Sequence, residues 1–497
     1  MFEDIDKKIY SNPRDIYMER LDKNLRQFLE SEAASISRAG KDILVELDSA
    51  GLERVLSRLG DNPELAVDNL KNFKTLKRSG ESFLLAELVA AEYDRSIILK
   101  ISFAGRKALQ DMMGIFRKSF GSAEDFYPLK PAGEEVYNLR IPGMMLYGCH
   151  SLDIDLSIED DTIKTVHIDR SPAKVLGPSV FEGLEIGQLI SYMGRFDYNA
   201  GIFSELAFCM GIEEMLQLEI PRRAEYLRVI VSELFRITSH LGNLGGIAEI
   251  LGHDIAANMI MIERENLLGI IELVTGARVI PNFIRIGGVR YRVGSDIIKK
   301  IKRTGNDFQK TFGKIERLLN NDFALVERLR GLGTIDRETA GRYGLTGPNL
   351  RASGPRYDLR KEPGHSIYMD IHFTVPYARG GSCLDRMAVK MSEIYQSLRI
   401  IKQAAENIPA GPAIKRINLS HLDFKPAFFT SSVECPHGIF KVFGEVEENR
   451  LKSFAVLGPS GPALAAAGRL LEGNSFEDIE IIMASLDISS GELLDYA

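Results

Sequence analysis

The chain has 497 residues, 45% apolar and 26% charged, enough for two or three domains with real cores. A net charge of −7 argues against nucleic acid as a partner, and the basic residues form pairs such as Arg222-Arg223, not a tract. No apolar run is long enough to span a bilayer, and “MFEDIDKKIYSNPRD” lacks the apolar core of a secretory signal, so any membrane contact is expected to come through partners.

Along the first 128 residues, helical and strand patterns mix. “RDIYMERLDKNLRQFLESEAASI” has helical apolar spacing, “DILVELD” and “RSIILKISF” read as strands, and “GRKALQDMMGIFRKSFG” reads as a helix closed by Gly121. “PLKPAGE” (128–134) reads as a linker. “SLDIDLSIEDDTIKTVHID” alternates with period two about an acidic turn and predicts a hairpin. Helices then dominate. Pro221 fits the first turn of “RRAEYLRVIVSELFRITSHL”, and “MIMIERENLLGIIELVTG” stops near Gly276. A long amphipathic stretch covers 295–330, with Ile298, Ile301, Phe308, Phe312, Ile315, Leu319 and Val326 at helical spacing. A Gly- and Arg-rich region precedes another helix, “LDRMAVKMSEIYQSLRIIKQAAENI”. The strand-like “GIFKVFGEVEENRLKSFAVL” follows.

Four isolated cysteines, Cys149, Cys209, Cys383 and Cys435, include no CxxC pair. They offer no zinc ribbon or cluster-binding loop and suggest a reducing compartment. “IGGVR” lacks the strand–helix context of a dinucleotide site, and His240 in “RITSHL” reads as a satisfied core histidine. Acidic residues inside apolar helices say more. Glu205, Glu233, Glu263 and Glu265 either pair with nearby Arg228, Arg236 and Arg264, or form a string of carboxylates with raised pKa that relays protons.

From “PRRAEYLRVIVSELFRITSHLGNLGG” through “MIERENLLGIIELVTGARVIPNFIRIGGVR”, “LTGPNLRASGPRYDLRK” and “IIMASLDISSGELLD”, the chain resembles the quinone-site subunit of respiratory complex I. It equally resembles the related large subunit of membrane-bound [NiFe] hydrogenases. The likeness covers residues 135–497; residues 1–134, ending in “SAEDFYPL”, resemble the neighbouring peripheral-arm subunit. The resemblance implies an α+β fold, with an N-terminal α/β domain (1–134) fused to a mainly helical large-subunit-like domain (135–497) with peripheral β hairpins.

In the hydrogenases two cysteine pairs hold nickel and iron. Here the first pair falls on Asp197 and Ala200, and the second on Ser489 and Glu492, so no [NiFe] centre is expected. Asp197, Tyr198 and Glu492 match the complex I pattern, in which the Tyr is a proton donor to quinone. The accompanying His position falls on Cys149 beside His150, its Asp on Ile250, a cluster-touching His on Ile280 and a cluster-side Arg on Ser179. The resemblance implies that this chain binds no cofactor itself. It would form an acceptor cavity, for a quinone or another lipophilic acceptor, beside the [4Fe–4S] cluster of a small iron–sulfur subunit. Further partners would be membrane ion-translocating subunits, placing the chain on the cytoplasmic face of the membrane. A non-catalytic scaffold subunit is the competing reading, and a working hydrogenase the last.

Overall fold

The computed structural model describes the backbone of strands within residues 35–144, with Leu47, Leu52, Val55 and Leu56, then residues 152–159, 161–169, 181–362, 366–418 and 427–493. The helix expected at “GRKALQDMMGIFRKSFG”, residues 14–34 of the first helical stretch, and the candidate residues Cys149, His150 and Ser179 lie outside the described residues; the end of that first stretch is corrected, since Ser35 and Ile36 open a strand. The chain divides into two compact units, Met1–Phe126 and Tyr127–Ala497.

In the first unit, β1 (Ser35–Ala39), β2 (Asp42–Asp48), β3 (Asn69–Arg78), β4 (Glu81–Ala90) and β5 (Arg95–Phe103) form one sheet, ordered β1-β2-β5-β4-β3. The apolar runs “DILVELD” and “RSIILKISF” become β2 and β5, which pair in parallel; the other neighbours are antiparallel. A parallel pair needs a crossover, and the segment between them carries buried Leu52, Val55 and Leu56.

The second unit opens with a four-stranded antiparallel sheet: β6 (Lys130–Pro131), β7 (Val136–Met144), β8 (Leu152–Glu159) and β9 (Thr162–Asp169). The predicted hairpin forms, with Asp161 at a left-handed φ of 61° in its turn. The expected linker at 128–134 is corrected in part: Lys130 and Pro131 pair with Asn138 and Tyr137 inside this unit.

Helices then build the core. α1 (Ile186–Met193) and α2 (Gly201–Met215) lead into α3 (Arg222–Ile250), which is buried along most of its length. Pro221 stands just before α3, where its missing N–H costs no hydrogen bond. α4 (Asp254–Thr275) ends on Gly276 at φ 83°, a left-handed cap that spares the Cβ penalty. A two-residue hairpin, β10 (Ile284–Arg285) and β11 (Gly288–Val289), precedes α5 (Ser295–Asn321). The amphipathic stretch expected to reach residue 330 breaks at Asp322. That carboxylate accepts from the Leu325 N–H at 3.1 Å and starts a separate short helix, Phe323–Leu329. α6 (Cys383–Asn407) starts at a reciprocal Ser382–Asp385 cap and packs on α3 and α5. β12 (Ala427–Cys435), β13 (Gly438–Glu447) and β14 (Arg450–Leu457) form an antiparallel sheet against α2, followed by α7 (Ser460–Leu471) and α8 (Ile479–Leu486).

One contact fixes how α1 hands over to α2. A Cβ on Gly201 would lie 2.4 Å from the Gly194 carbonyl oxygen. Gly201→Ala should therefore destabilise the protein by about 1–3 kcal/mol in urea unfolding. Gly269→Ala, in the middle of α4 with open space around its Cβ, should be neutral or gain roughly 0.5–1 kcal/mol. Equal effects at the two sites would refute the packing argument.

Candidate functional site

The two short turns singled out in the sequence meet. Asp197 and Ala200 lie between α1 and α2, and Ser489 and Glu492 lie in the turn after α8; all four are buried. The Ser489 hydroxyl and the Asn199 N–H both donate to Asp197 Oδ1, at 3.2 and 3.0 Å. Two glycines allow the close approach: a Cβ on Gly491 would lie 2.1 Å from the Phe196 carbonyl, and one on Gly458 2.5 Å from the Cβ of Glu492. The turn joining β12 to β13 adds Cys435 and His437. His437 Nε2 lies 3.0 Å from Asp197 Oδ2, and its Nδ1 lies 3.3 Å from Asp487 Oδ2. The Lys390 ammonium, from α6, is 3.1 Å from that Asp487 oxygen and donates to Asn243 Oδ1 at 2.6 Å and to the Ser485 carbonyl at 3.2 Å. Glu492 Oε2 accepts from the Ser460 hydroxyl at 2.5 Å and its N–H at 3.1 Å.

The electrostatics follow from this order. Burial opposes charge on His437, but Asp487 and Asp197 outweigh it and hold the imidazole protonated far above its ordinary range. Burial would raise Asp487, yet Lys390 and His437 keep it well below the usual carboxylate range. Glu492 is different. Burial pushes it up to about 7; His437 and the Ser460 hydrogen bonds pull it down, while Asp197 pushes it further up. The donor atoms of Asp197, His437 and Glu492 lie within 4.8 Å of one another, a spacing a divalent cation could use. Among the described residues the thiol nearest this cluster is that of Cys435, whose Sγ is 3.9 Å from Glu492 Oε1. Two carboxylates, one imidazole and one thiol do not match a soft, four-thiolate nickel–iron centre. His437 presents both ring nitrogens to carboxylates, so the positive charge a metal would bring is already in place.

A second buried network lies deeper. Arg351 bonds Glu393 at 2.6 Å and Glu434 at 2.7 Å, and His240 Nε2 meets the other Glu393 oxygen at 2.9 Å. Burial keeps His240 below its ordinary range, so it is the neutral ring that donates to Glu393. It is a core histidine, as the sequence suggests, but satisfied on one nitrogen only, since Nδ1 is buried without a hydrogen-bond partner.

The four helix acids do not share one environment. The expectation of a raised pKa at Glu233 is corrected. Burial would raise it, but Arg236 and Arg360 overcome that, with help from the Ser397 and Tyr368 hydroxyls at 2.6 and 2.7 Å, so its pKa is lowered. Arg236 is thus its partner, as the pairing alternative expects, whereas Arg228 holds Glu213 at 2.6 Å and Arg264 donates to the Thr238 carbonyl. Glu205 is pushed up to about 7 by burial, against hydrogen bonds from the Ile284, Phe283 and Asn282 N–H groups. Glu263 is half-buried, and Glu265 is exposed beside Arg278.

Tyr198, next to buried Asp197, is 48% exposed. Ile250 closes α3 on the surface and Ile280 is half-exposed. Sequence reasoning missed His437, Asp487 and Lys390. The available signal was a lysine inside the apolar “RMAVKMSEI” and a histidine in the tight turn “CPHG”.

Known proteins share this frame. Residues 251–425 match the family model for the respiratory-chain NADH dehydrogenase 49 Kd subunit. An NADH-quinone oxidoreductase subunit of Clostridium beijerinckii is 34% identical over 308 residues, covering 62% of this chain and 83% of the relative. The corresponding subunit of Geobacillus thermodenitrificans is 35% identical, covering 63% and 86%. The chain belongs to the 49 Kd subunit family of NADH-quinone oxidoreductases. A chain in the structure of the membrane-bound sulfane sulfur reductase, an archaeal respiratory membrane complex, superposes with a TM-score of 0.69 at 25% identity, covering 74% of this chain and all of that one. Within this 49 Kd frame, the buried row Glu492, Asp197, His437, Asp487 and Lys390 occupies the junction of the two turns.

The deeper network carries a measurable stability. Burial would raise Glu393, but Arg351 and His240 hold it at about 2. Its folded pKa lies below the unfolded value of about 4.3, so its contribution is present above that value and is lost as pH falls towards about 2. Glu393→Gln should cost about 3–5 kcal/mol at neutral pH, because it weakens the pairing of a buried arginine. It should also flatten the acid limb of stability below about pH 5 in chemical denaturation. A loss under about 1 kcal/mol would show that Glu434 alone satisfies Arg351.

Proposed function

We propose that this chain is the peripheral-arm subunit of a membrane-bound, ion-translocating, complex I-like oxidoreductase and forms its acceptor site. The carrying observation is the junction of the two turns, where a buried, self-neutralising ionic row lies directly behind exposed Tyr198. Electrons arrive from the [4Fe–4S] cluster of a small iron–sulfur partner, and the acceptor is reduced at Tyr198. The tyrosine hydroxyl donates a hydrogen bond or proton to the reduced oxygen or sulfur. The relatives from Clostridium and Geobacillus are named for quinone, while the structural neighbour is named for sulfane sulfur. Ile250, an apolar group at the end of α3 where the quinone-site pattern has an acid, favours an acceptor other than ubiquinone. Among the described residues no helix is long and apolar enough to cross a membrane, and docking at the cytoplasmic face runs through membrane subunits. Residues 1–134 stand in for the neighbouring peripheral-arm subunit; a native complex that contains a separate copy of that subunit would sink this part of the reading.

Tyr198→Phe in the assembled complex should lower turnover by about 10²-fold with assembly unchanged, since a positioned general acid contributes on that scale. Wild-type turnover would leave the scaffold reading standing. Elemental analysis of the purified chain should find no stoichiometric nickel, and about one nickel per chain would return it to the hydrogenases.

A further inference from the structure

We propose that Glu492 is a proton-carrying site: a buried carboxylic acid that exchanges one proton with the acceptor site and is set for that task by the fixed row Asp197–His437–Asp487–Lys390. The inference deepens the acceptor-site reading and rests on it only for where the proton goes.

Charge balance is the first argument. Lys390 meets three acceptors, as an ammonium does, and His437 is held between two carboxylates. Asp197 accepts from Ser489, Asn199 and His437. Two cations thus face two carboxylates, and the row is neutral before Glu492 is counted; Arg386, a further buried cation acting on Lys390, bonds the Ser485 hydroxyl, the Gly333 and Gly381 carbonyls and Cys383, and none of these five side chains. An ionised Glu492 would leave a net negative charge in a place where every one of these side chains is buried. The protonated form removes that excess.

Geometry is the second. Among the described residues, no cation is hydrogen-bonded to Glu492. Its Oε2 takes both Ser460 contacts, and its Oε1 faces the Cys435 thiol at 3.9 Å, the thiol being kept neutral by burial and by the nearby acids. The other charged groups facing it are His437 from the β12–β13 turn, Asp197 from the α1–α2 turn, Asp487 and Lys390 beyond His437, and Arg236 of α3 on the Cys435 side. An exchange partner stands close by: a carboxylate oxygen of Asp197, the residue before Tyr198, lies within 4.8 Å of one of Glu492, and transfer requires the two carboxyl groups to close to hydrogen-bond distance. Only an O–H bond breaks, leaving a carboxylate on Glu492; one O–H bond forms on the recipient, and re-protonation restores the neutral row. No electron moves in this step.

Infrared spectroscopy of the full-length chain across pH tests the idea without requiring turnover, so its failure is separate from failure of the acceptor reading. Two buried acids, Glu492 and Glu205, are expected to give protonated-carboxyl C=O intensity that titrates near neutral pH, and the part belonging to Glu492 should vanish in Glu492→Gln, a variant that copies the neutral acid and should fold as wild type, while the Glu205 part remains. Ser460→Ala removes a hydrogen bond that favours the ionised form, so it should move the band's midpoint to higher pH, a severalfold gain in proton affinity. That variant also carries the test should Glu492→Gln fail to fold. Carboxyl intensity wholly unchanged by Glu492→Gln, no midpoint moved by Ser460→Ala, or a stoichiometric divalent metal in the chain would overturn the proposal.

Discussion

The structure turns on one constraint: charge placed inside an apolar helical bundle must be met by opposite charge or by a full set of acceptors brought from elsewhere in the chain. Isolated ions in such a medium cost several kcal/mol each even after relaxation. α3 and α6 carry Glu233, Arg236, Lys390 and Glu393 in their buried faces, each in an ion pair, and buried Arg386 of α6 is held instead by the Ser485 hydroxyl, the Gly333 and Gly381 carbonyls and Cys383. Arg360 and Tyr368 reach Glu233 from the segment before α6, Arg351 and His240 close on Glu393, and Asp487 returns from the C-terminal turn to meet Lys390. These pairings tie together segments with no continuity in sequence. They give register to a core whose aliphatic contacts alone would tolerate sliding.

The same constraint explains why the junction of the two turns is occupied as it is. Without the four thiolates of a nickel–iron centre, a space surrounded by polar turns must still be filled and balanced. Asp197 and Glu492 bring negative charge, and His437 supplies the positive centre between Asp197 and Asp487. Gly458 and Gly491 let the backbone come close enough for the side chains of the two turns to pack against each other. The result is a cluster with directional hydrogen bonds in which one acid, Glu492, is held by a hydroxyl and a backbone N–H instead of a cation.

Much of the scaffold was legible because it rests on periodicity. The strands “DILVELD” and “RSIILKISF”, the hairpin after them, and α3 to α6 all follow apolar spacing and end signals such as Gly276. The break at Asp322 was hidden, because a capping aspartate inside a continuous amphipathic pattern looks like any exposed acid until its acceptor geometry is seen. In the site, Asp197, Ala200, Ser489 and Glu492 stood out through the empty frame of a metal motif. His437, Asp487 and Lys390 did not, because the local marks, a lysine among apolar residues and a histidine in a tight turn, do not say what they pair with. Each acquires its meaning from a partner far away in sequence, and pairing of that kind leaves no period or spacing to read. Glu233 shows the converse error. A carboxylate in an apolar helix reads as a proton carrier only if its arginines are not counted, and two of them, Arg236 and Arg360, hold it ionised.

The placement of Asp197 and Tyr198 joins these points. Consecutive residues in the α1–α2 turn face opposite ways, so the carboxylate enters the ionic row while the phenol stands 48% exposed. The proposed proton donor at the surface and a fixed carboxylate of the ionic row are thereby one peptide apart, and Glu492 lies across that row. The same turn is tied to the core by a chain of ion pairs: Asp197 meets His437 at 3.0 Å, His437 is also held by Asp487, and Asp487 by Lys390 of α6, a helix that packs on α3. The segment that presents Tyr198 is therefore anchored to the helical core through charge, not through aliphatic packing alone.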